Sequence, residues 1–133
     1  MNWKLIFQLS VFGLIMAFGT VSLIPEKIEP LFWALIFIFC SWVIVRAAPG
    51  KYFLHGFMAG LFNCVWITAV HYFFYRRYMD NHPRVDSMTA SIPPPFTTHP
   101  RIYVSLVGLS LGVLSAVVFG LFAFIASKIA RKK

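Results

Sequence analysis

HGFMAGLFNCVWITAVH, residues 55–71, decides the fold, because this apolar stretch carries a histidine at each end and one asparagine, Asn63, inside. It belongs to a longer segment, residues 52–75, that contains no Asp, Glu, Lys or Arg. A helix needs roughly 20 such residues to cross about 30 Å of hydrocarbon. The stretch therefore predicts a membrane-spanning helix, and its central amide predicts a polar contact inside the membrane, where such groups are costly.

The whole chain has the composition of a membrane protein. Its 133 residues are 59% hydrophobic and only 12% charged, with a mean hydropathy of +0.77. A soluble domain carries about 25% charged residues, so this chain has too little polar surface to cover its apolar remainder in water. The net charge of +8 does not predict nucleic-acid binding. The basic residues stand at the ends of apolar runs, where Lys and Arg anchor and orient membrane helices.

Four apolar runs predict four spans, at about residues 5–24, 29–48, 52–75 and 102–126. None of the runs alternates with a period of two, as the strand of a membrane barrel does. Backbone groups in lipid must be satisfied within the segment, which favours helices. The predicted fold is therefore all-α: residues 1–133 form a single transmembrane domain, an integral membrane four-helix bundle. A Pro-rich outer loop, residues 76–101, is the one long polar connection.

The Lys and Arg residues predict the orientation of the bundle. Both termini are expected to be cytoplasmic, because seven basic residues then lie inside and five outside, as the positive-inside rule expects. The inner set is Lys4, Arg46, Lys51, Lys128, Arg131, Lys132 and Lys133, and the outer set is Lys27, Arg76, Arg77, Arg84 and Arg101. The expected location is the bacterial inner membrane. In an alternative interpretation the first run is a signal peptide cleaved at Ala17-Phe18-Gly19, but its apolar length favours a retained span.

Small residues on the third and fourth spans predict where helices touch. At about 100° per residue, Gly56, Gly60 and Asn63 fall on one face of the third span, and the fourth span repeats small residues at intervals of four. Helix association in lipid depends on close packing of such faces and on interhelical hydrogen bonds. The predicted helix-packing seam consists of Gly56, Gly60, Asn63, Gly108, Gly112, Ala116 and Gly120.

Asn63 has two interpretations at this stage. In the first, its amide makes a packing hydrogen bond to Ser115, to Gln8 or to a backbone carbonyl. In the second, a polar site for a substrate, an ion or a lipid headgroup lies inside the bundle. The candidate residues for that site are Gln8, Asn63, His71 and Ser115.

The sequence predicts no catalytic, cofactor-binding or metal-binding residues. Apart from Glu29, at the first position of the second span, no acidic residue lies inside a predicted span, and no Gly-x-Ser-x-Gly, P-loop or dinucleotide fingerprint occurs. His55 and His71 are about 24 Å apart along one helix, too far to hold one haem between them. No metal-ligand spacing joins the polar residues near the outer side, which are His71, Asp80, His82, Asp86 and His99.

GKYFLHGFMAGLFNCVWITAVHYFFYRRYMDNHP, residues 50–83, resembles the third-span region of a bacterial four-transmembrane-helix family of unknown function that is common in Bacteroidota. The similar features are Phe53, Gly56 and Gly60 near the start of the helix and the aromatic residues 72–75 at its end. The glycine-rich final span with its basic tail is also similar, whereas Asp80-Asn81-His82-Pro83 departs from the family's adjacent acid and proline. The resemblance implies a four-helix inner-membrane protein and brings no functional residues.

These observations together predict a small polytopic inner-membrane protein that acts as a structural or accessory, complex-forming subunit without catalytic activity of its own. The expected partners are membrane lipid and either further copies of the chain, in a homo-oligomer, or a larger membrane complex. The alternative is a small transporter or channel component, in which the polar residues line a path within an oligomer. No nucleic acid and no cofactor is expected.

Overall fold

The computed structural model describes residues 1–131, which contain six α-helices, one 3₁₀ helix and no strand. In chain order these are α1 (Trp3–Ser22), α2 (Glu29–Ala47), α3 (Tyr52–Phe73), α4 (Tyr75–Asn81), α5 (Pro83–Thr89), the 3₁₀ helix Phe96–Thr98, and α6 (Pro100–Arg131). Four of them, α1, α2, α3 and α6, are long and apolar enough to cross a membrane. The prediction of an all-α fold with four such helices is confirmed. Lys132 and Lys133, two of the basic residues counted for orientation, lie outside the described residues.

α6 is longer than the run that predicted it. Its 32 residues extend about 48 Å at 1.5 Å per residue, whereas the hydrocarbon of a bilayer is about 30 Å thick. The surplus lies at its two ends, where Arg101 and Lys128 are exposed. α1, α2 and α3 begin and end within two residues of the predicted limits.

The connection after α3 is largely helical, which differs from the predicted irregular loop. α4 and α5 occupy most of its first half, and Pro83 and Pro100 begin α5 and α6. Proline suits the first helical position, because its missing N–H would have no intrahelical partner there. His82 and His99, the residues before these prolines, are non-helical, as expected. Pro95 has φ −91° and ψ 7°, which is not polyproline II geometry.

α3 is the central helix of the bundle. α1 packs against one side of α3 and α6 against the other, while α2 packs mainly against α6. The bundle has two ends: the termini end holds the start of α1 and the end of α6, and the loop end holds α4 and α5. Near the termini end the apolar core is fully buried, with Ile6, Cys40, Ile44, Ala59 and Phe119 at its centre.

His55 joins α1 to α3 at the termini end. Its ring is 1% exposed, and its Nδ1 lies 3.0 Å from the carbonyl oxygen of Lys51. A carbonyl can only accept a hydrogen bond, so Nδ1–H donates, and the other nitrogen, Nε2, accepts the Asn2 N–H at 2.9 Å. Asn2 in turn caps α1, because its Oδ1 accepts the Leu5 N–H at 3.2 Å. The polar group that opens the fold-deciding stretch therefore has a structural role.

Candidate functional site

A carboxylate and a histidine meet at the loop end of the bundle. Glu29 is the first residue of α2, and its Oε2 lies 3.1 Å from Nε2 of His82, between α4 and α5. The Trp33 indole N–H donates to Glu29 Oε1 at 3.1 Å. His82 Nδ1 lies 3.1 Å from the Tyr78 carbonyl oxygen. The carboxylate and the carbonyl both accept, so both ring nitrogens of His82 donate, and one extra proton is shared by Glu29 and His82.

The surroundings of His82 favour the protonated form of its ring. Its side chain is 1% exposed, and burial by itself lowers the pKa of a histidine. The hydrogen bonds to Glu29 and to the Tyr78 carbonyl, with the negative charges of Glu29 and Glu26, act in the opposite direction, and the pKa of His82 is raised above its ordinary value of 6.5. Glu29 and protonated His82 together are electrically neutral.

Three rings form a stack beside this pair. The Tyr78 ring lies between His71, at a centroid distance of 3.9 Å, and His82, at 4.2 Å. Burial, together with the carboxylates of Glu29 and Glu26, raises the pKa of Tyr78, so its phenol stays neutral. Thr20 Oγ1 donates to the Ala17 carbonyl at 3.1 Å and lies 2.9 Å from His71 Nε2, which therefore donates to it. The stack links α1, α3 and α4 to Glu29 on α2.

Asn81 fastens α4 to the end of α1. Its Nδ2 donates to the carbonyl oxygens of Thr20, at 2.8 Å, and Ile24, at 3.0 Å. The last carbonyls of a helix have no intrahelical partner, so this amide satisfies groups that α1 leaves open. The arrangement holds Tyr78 and His82 in place over the bundle.

A cavity of about 200 Å³ extends from this cluster into the bundle, between α2, α3 and α6. Asn63 lies in its wall and is 3% exposed, yet neither its Oδ1 nor its Nδ2 has a hydrogen-bond partner. The packing hydrogen bond expected from the sequence is therefore absent. Gly13 packs directly against the Asn63 side chain and offers no polar group there. The other lining residues used below are Glu29, Trp33, Phe37, His71, Tyr78, Gly108, Leu111 and Ser115.

The structure brings together three of the four residues proposed for a polar site. Asn63, His71 and Ser115 line this one cavity. Gln8 does not, because it lies on the exposed face of α1, opposite to the buried residues Leu5, Ile6 and Leu9. The sequence-based expectation for Gln8 was therefore wrong.

The small residues of α3 and α6 meet over most of the proposed seam. A methyl group added to Gly60 would lie 2.6 Å from the Cα of Ala116, and one added to Gly56 would lie 2.8 Å from the carbonyl oxygen of Phe119. Gly120 lies against Phe53, and Gly112 against Cys64. Gly108 differs: no atom lies within 4 Å of the corresponding position, although the carbonyl oxygen of the next residue, Leu109, still lies 3.7 Å from Cys64 Sγ of α3.

The N-terminal half of α6 packs loosely against its neighbours. A second cavity of about 180 Å³, which shares Gly108 and Leu111 with the Asn63 cavity, separates it from α3 and α5; its wall includes Thr68, His71, Tyr75, Met88 and Tyr103. Every residue from Leu106 to Leu111 is exposed, which covers more than one full turn of the helix. The bundle is thus closed at the termini end and open at the loop end.

Residues 1–131 contain no group of three or more His, Cys, Asp or Glu side chains arranged to hold a metal ion. Comparison of the chain with known protein families, curated proteins and solved structures finds no match. The resemblance of residues 50–83 to a four-helix family therefore stays a prediction.

Sequence reasoning missed Glu29, Trp33 and His82. Glu29 stands at the predicted start of the second span and was not among the proposed polar-site residues, whereas its carboxylate faces inward and bonds Trp33 and His82. The spacing of Glu29, Trp33 and Phe37 by four residues places them on one helix face, and this pattern could have indicated the cluster. His82 lies 53 residues from Glu29, and no local sequence pattern predicts a contact between them.

Proposed function

We propose that the chain is a multi-pass protein of the bacterial inner membrane, with both termini cytoplasmic, that serves as a non-catalytic accessory subunit of a membrane complex. With four spans, the two termini lie on the same side of the membrane. The termini end carries Lys4, Lys51 and Lys128, and basic residues favour the cytoplasmic side. Lys132 and Lys133 in the sequence add to this bias.

The observation that carries the proposal is the exposure of α6 around its whole circumference between Leu106 and Leu111. A helix at the edge of a bundle normally keeps one buried side, as α6 does near Ala116 and Phe119. Gly108 and Ser110 lie in the uncovered part, and small residues of this kind let a second helix approach closely in lipid. We infer that a helix of a partner subunit packs there.

Site-specific crosslinking in native membranes tests this proposal. Cysteine variants at Val107 and Ser110, both exposed on this part of α6, should each give one discrete adduct larger than the monomer. Leu35→Cys, exposed on α2, is the matched control and should give none. The native Cys40 and Cys64 are buried, so they should not compete. A lone monomer at all positions, with no copurifying protein in mild detergent, would contradict the proposal.

The cavity that reaches Asn63 favours a second candidate function, that of a small transporter or channel component within an oligomer. An unpartnered amide inside an apolar helix bundle is costly and is often functional. Solute flux into liposomes should then be lost in Asn63→Leu while the protein stays folded. Equal flux in the two proteins, or none in wild type, would argue against this candidate.

A further inference from the structure

The wall of the cavity between α2, α3 and α6 contains an amide without hydrogen-bond partners and a single charged side chain. Asn63 offers one acceptor and two donors, all without partners, and is almost fully buried. Among the described residues that line the cavity, Glu29 is the only acidic one and none is Lys or Arg. The charge available in the wall is therefore negative.

We propose that this cavity binds an organic ammonium group, with the Glu29 carboxylate as its counter-charge and with the Asn63 amide, whose Oδ1 packs against Gly13 of α1, turning to bond the ligand's polar remainder. The space suits such a group, because about 200 Å³ corresponds to about seven water molecules at roughly 30 Å³ each. This binding site shares Gly108 and Leu111 of α6 with the proposed partner surface, but it does not depend on the accessory-subunit proposal, because it is argued from Glu29 and Asn63.

The Glu29 carboxylate can accept further hydrogen bonds from a ligand. Each of its oxygens makes one hydrogen bond, to Trp33 or to His82, while a carboxylate accepts about four. Trp33 and Phe37 follow Glu29 at successive turns of α2 and also line the cavity. Aromatic walls beside a carboxylate are suited to an alkylammonium group, because cations are attracted to aromatic rings and the alkyl substituents prefer apolar contact.

The proton on His82 competes with such a ligand. The titratable or charged groups near Glu29 and His82 are His71 on α3, Tyr78 on α4, and Glu26, which is paired with Arg84 at 3.6 Å. While His82 is protonated, it compensates Glu29. When it loses its proton, the carboxylate charge in the wall is no longer balanced, so an ammonium group binds more tightly at higher pH.

Two kinds of molecule carry an ammonium group that fits this cavity, a free small cation and a lipid with an ammonium headgroup. Gly108, Leu111 and Ser115, all exposed, form the wall of the cavity on α6. The opening therefore lies along an apolar helix, on a surface that acyl chains can reach. Separate measurements distinguish the two sources.

The first measurement is calorimetric titration of the full chain in non-ionic detergent. Choline is compared with 3,3-dimethyl-1-butanol, its uncharged isostere. We expect choline to bind at least tenfold more tightly than the alcohol, and more tightly above the pKa of His82 than below it. Glu29→Gln, which preserves the shape of the side chain and removes its charge, should weaken choline binding at least tenfold. Asp80→Asn, which removes an exposed acid on α4, is the matched control and should leave binding unchanged.

The second measurement identifies a lipid source. Protein reconstituted with equal amounts of phosphatidylethanolamine and phosphatidylglycerol is repurified, and its retained lipid is quantified by mass spectrometry. Enrichment of the ethanolamine lipid that is lost in Glu29→Gln and in Asn63→Leu supports the proposal with lipid as the source. Folded wild-type protein that shows neither a preference for choline over the alcohol nor this enrichment overturns the proposal and leaves water as the occupant of the cavity.

Discussion

Gly60→Ala and Gly108→Ala are the same substitution on facing helices, and the structure predicts opposite results. At Gly60 the new methyl group would lie 2.6 Å from the Cα and 2.8 Å from the Cβ of Ala116. Carbon atoms pack best at about 3.5–4.0 Å. Because the nearest atom is backbone, no rotamer change relieves the contact, and α3 and α6 must separate by about 1 Å.

The energies of the two substitutions differ in sign. Overpacking of a well-packed core costs about 1–3 kcal/mol, and replacing a mid-helix glycine by alanine returns roughly 0.5–1 kcal/mol. We therefore expect Gly60→Ala to lower the free energy of unfolding by up to about 2.5 kcal/mol. The methyl group added by Gly108→Ala meets no atom within 4 Å. This substitution should therefore raise the free energy of unfolding by up to about 1 kcal/mol, because alanine favours the helix more than glycine does.

Unfolding by sodium dodecyl sulfate in mixed micelles, followed by circular dichroism, measures both values under one condition. Wild type and the two variants are compared at equal protein and detergent concentrations. If the two variants agree within about 0.5 kcal/mol, the range of an ordinary surface substitution, then the close α3–α6 contact at Ala116 does not exist and the packing argument fails.

Three further outcomes are expected. Asn63→Leu should stabilise the ligand-free protein by about 1–3 kcal/mol in the same titration, because it removes a buried amide without partners; destabilisation would mean that the amide has a partner. His82→Gln should abolish a pH dependence of the melting temperature: since the pKa of His82 is raised in the folded state, its contribution is complete below 6.5 and is lost as pH rises through the folded value. His55→Ala should cost about 1–3 kcal/mol by leaving the Asn2 N–H unpaired, and faster hydrogen exchange in the first turn of α1 would show it.

The four long helices could be predicted because hydrophobicity is a property of each segment by itself. The seam from Gly56 to Gly60 and from Gly112 to Gly120 followed from helix periodicity, which fixes which side chains share a face. Gly108 follows the same period, yet it meets only open space. Periodicity gives the face of a helix, whereas the crossing angle decides how far along that face the contact extends.

The candidate site was predictable only in part, for a related reason. Asn63 could be recognised because an amide in an apolar run is unusual. Glu29 looked like one of several charges in a turn, and its inward orientation depends on Trp33 and on His82, which α4 and α5 bring over the bundle. The short helices of this connection are stabilised by tertiary contacts such as those of Asn81, which composition does not reveal.

The packing of α2 mainly against α6 has a consequence for biosynthesis. A ribosome delivers the second helix long before the last one, so α2 is complete before its principal neighbour exists. The stacked pair Phe37 and Phe119, 4.7 Å apart, forms only when translation is nearly finished. Chains interrupted before residue 119 would leave α2 without this contact.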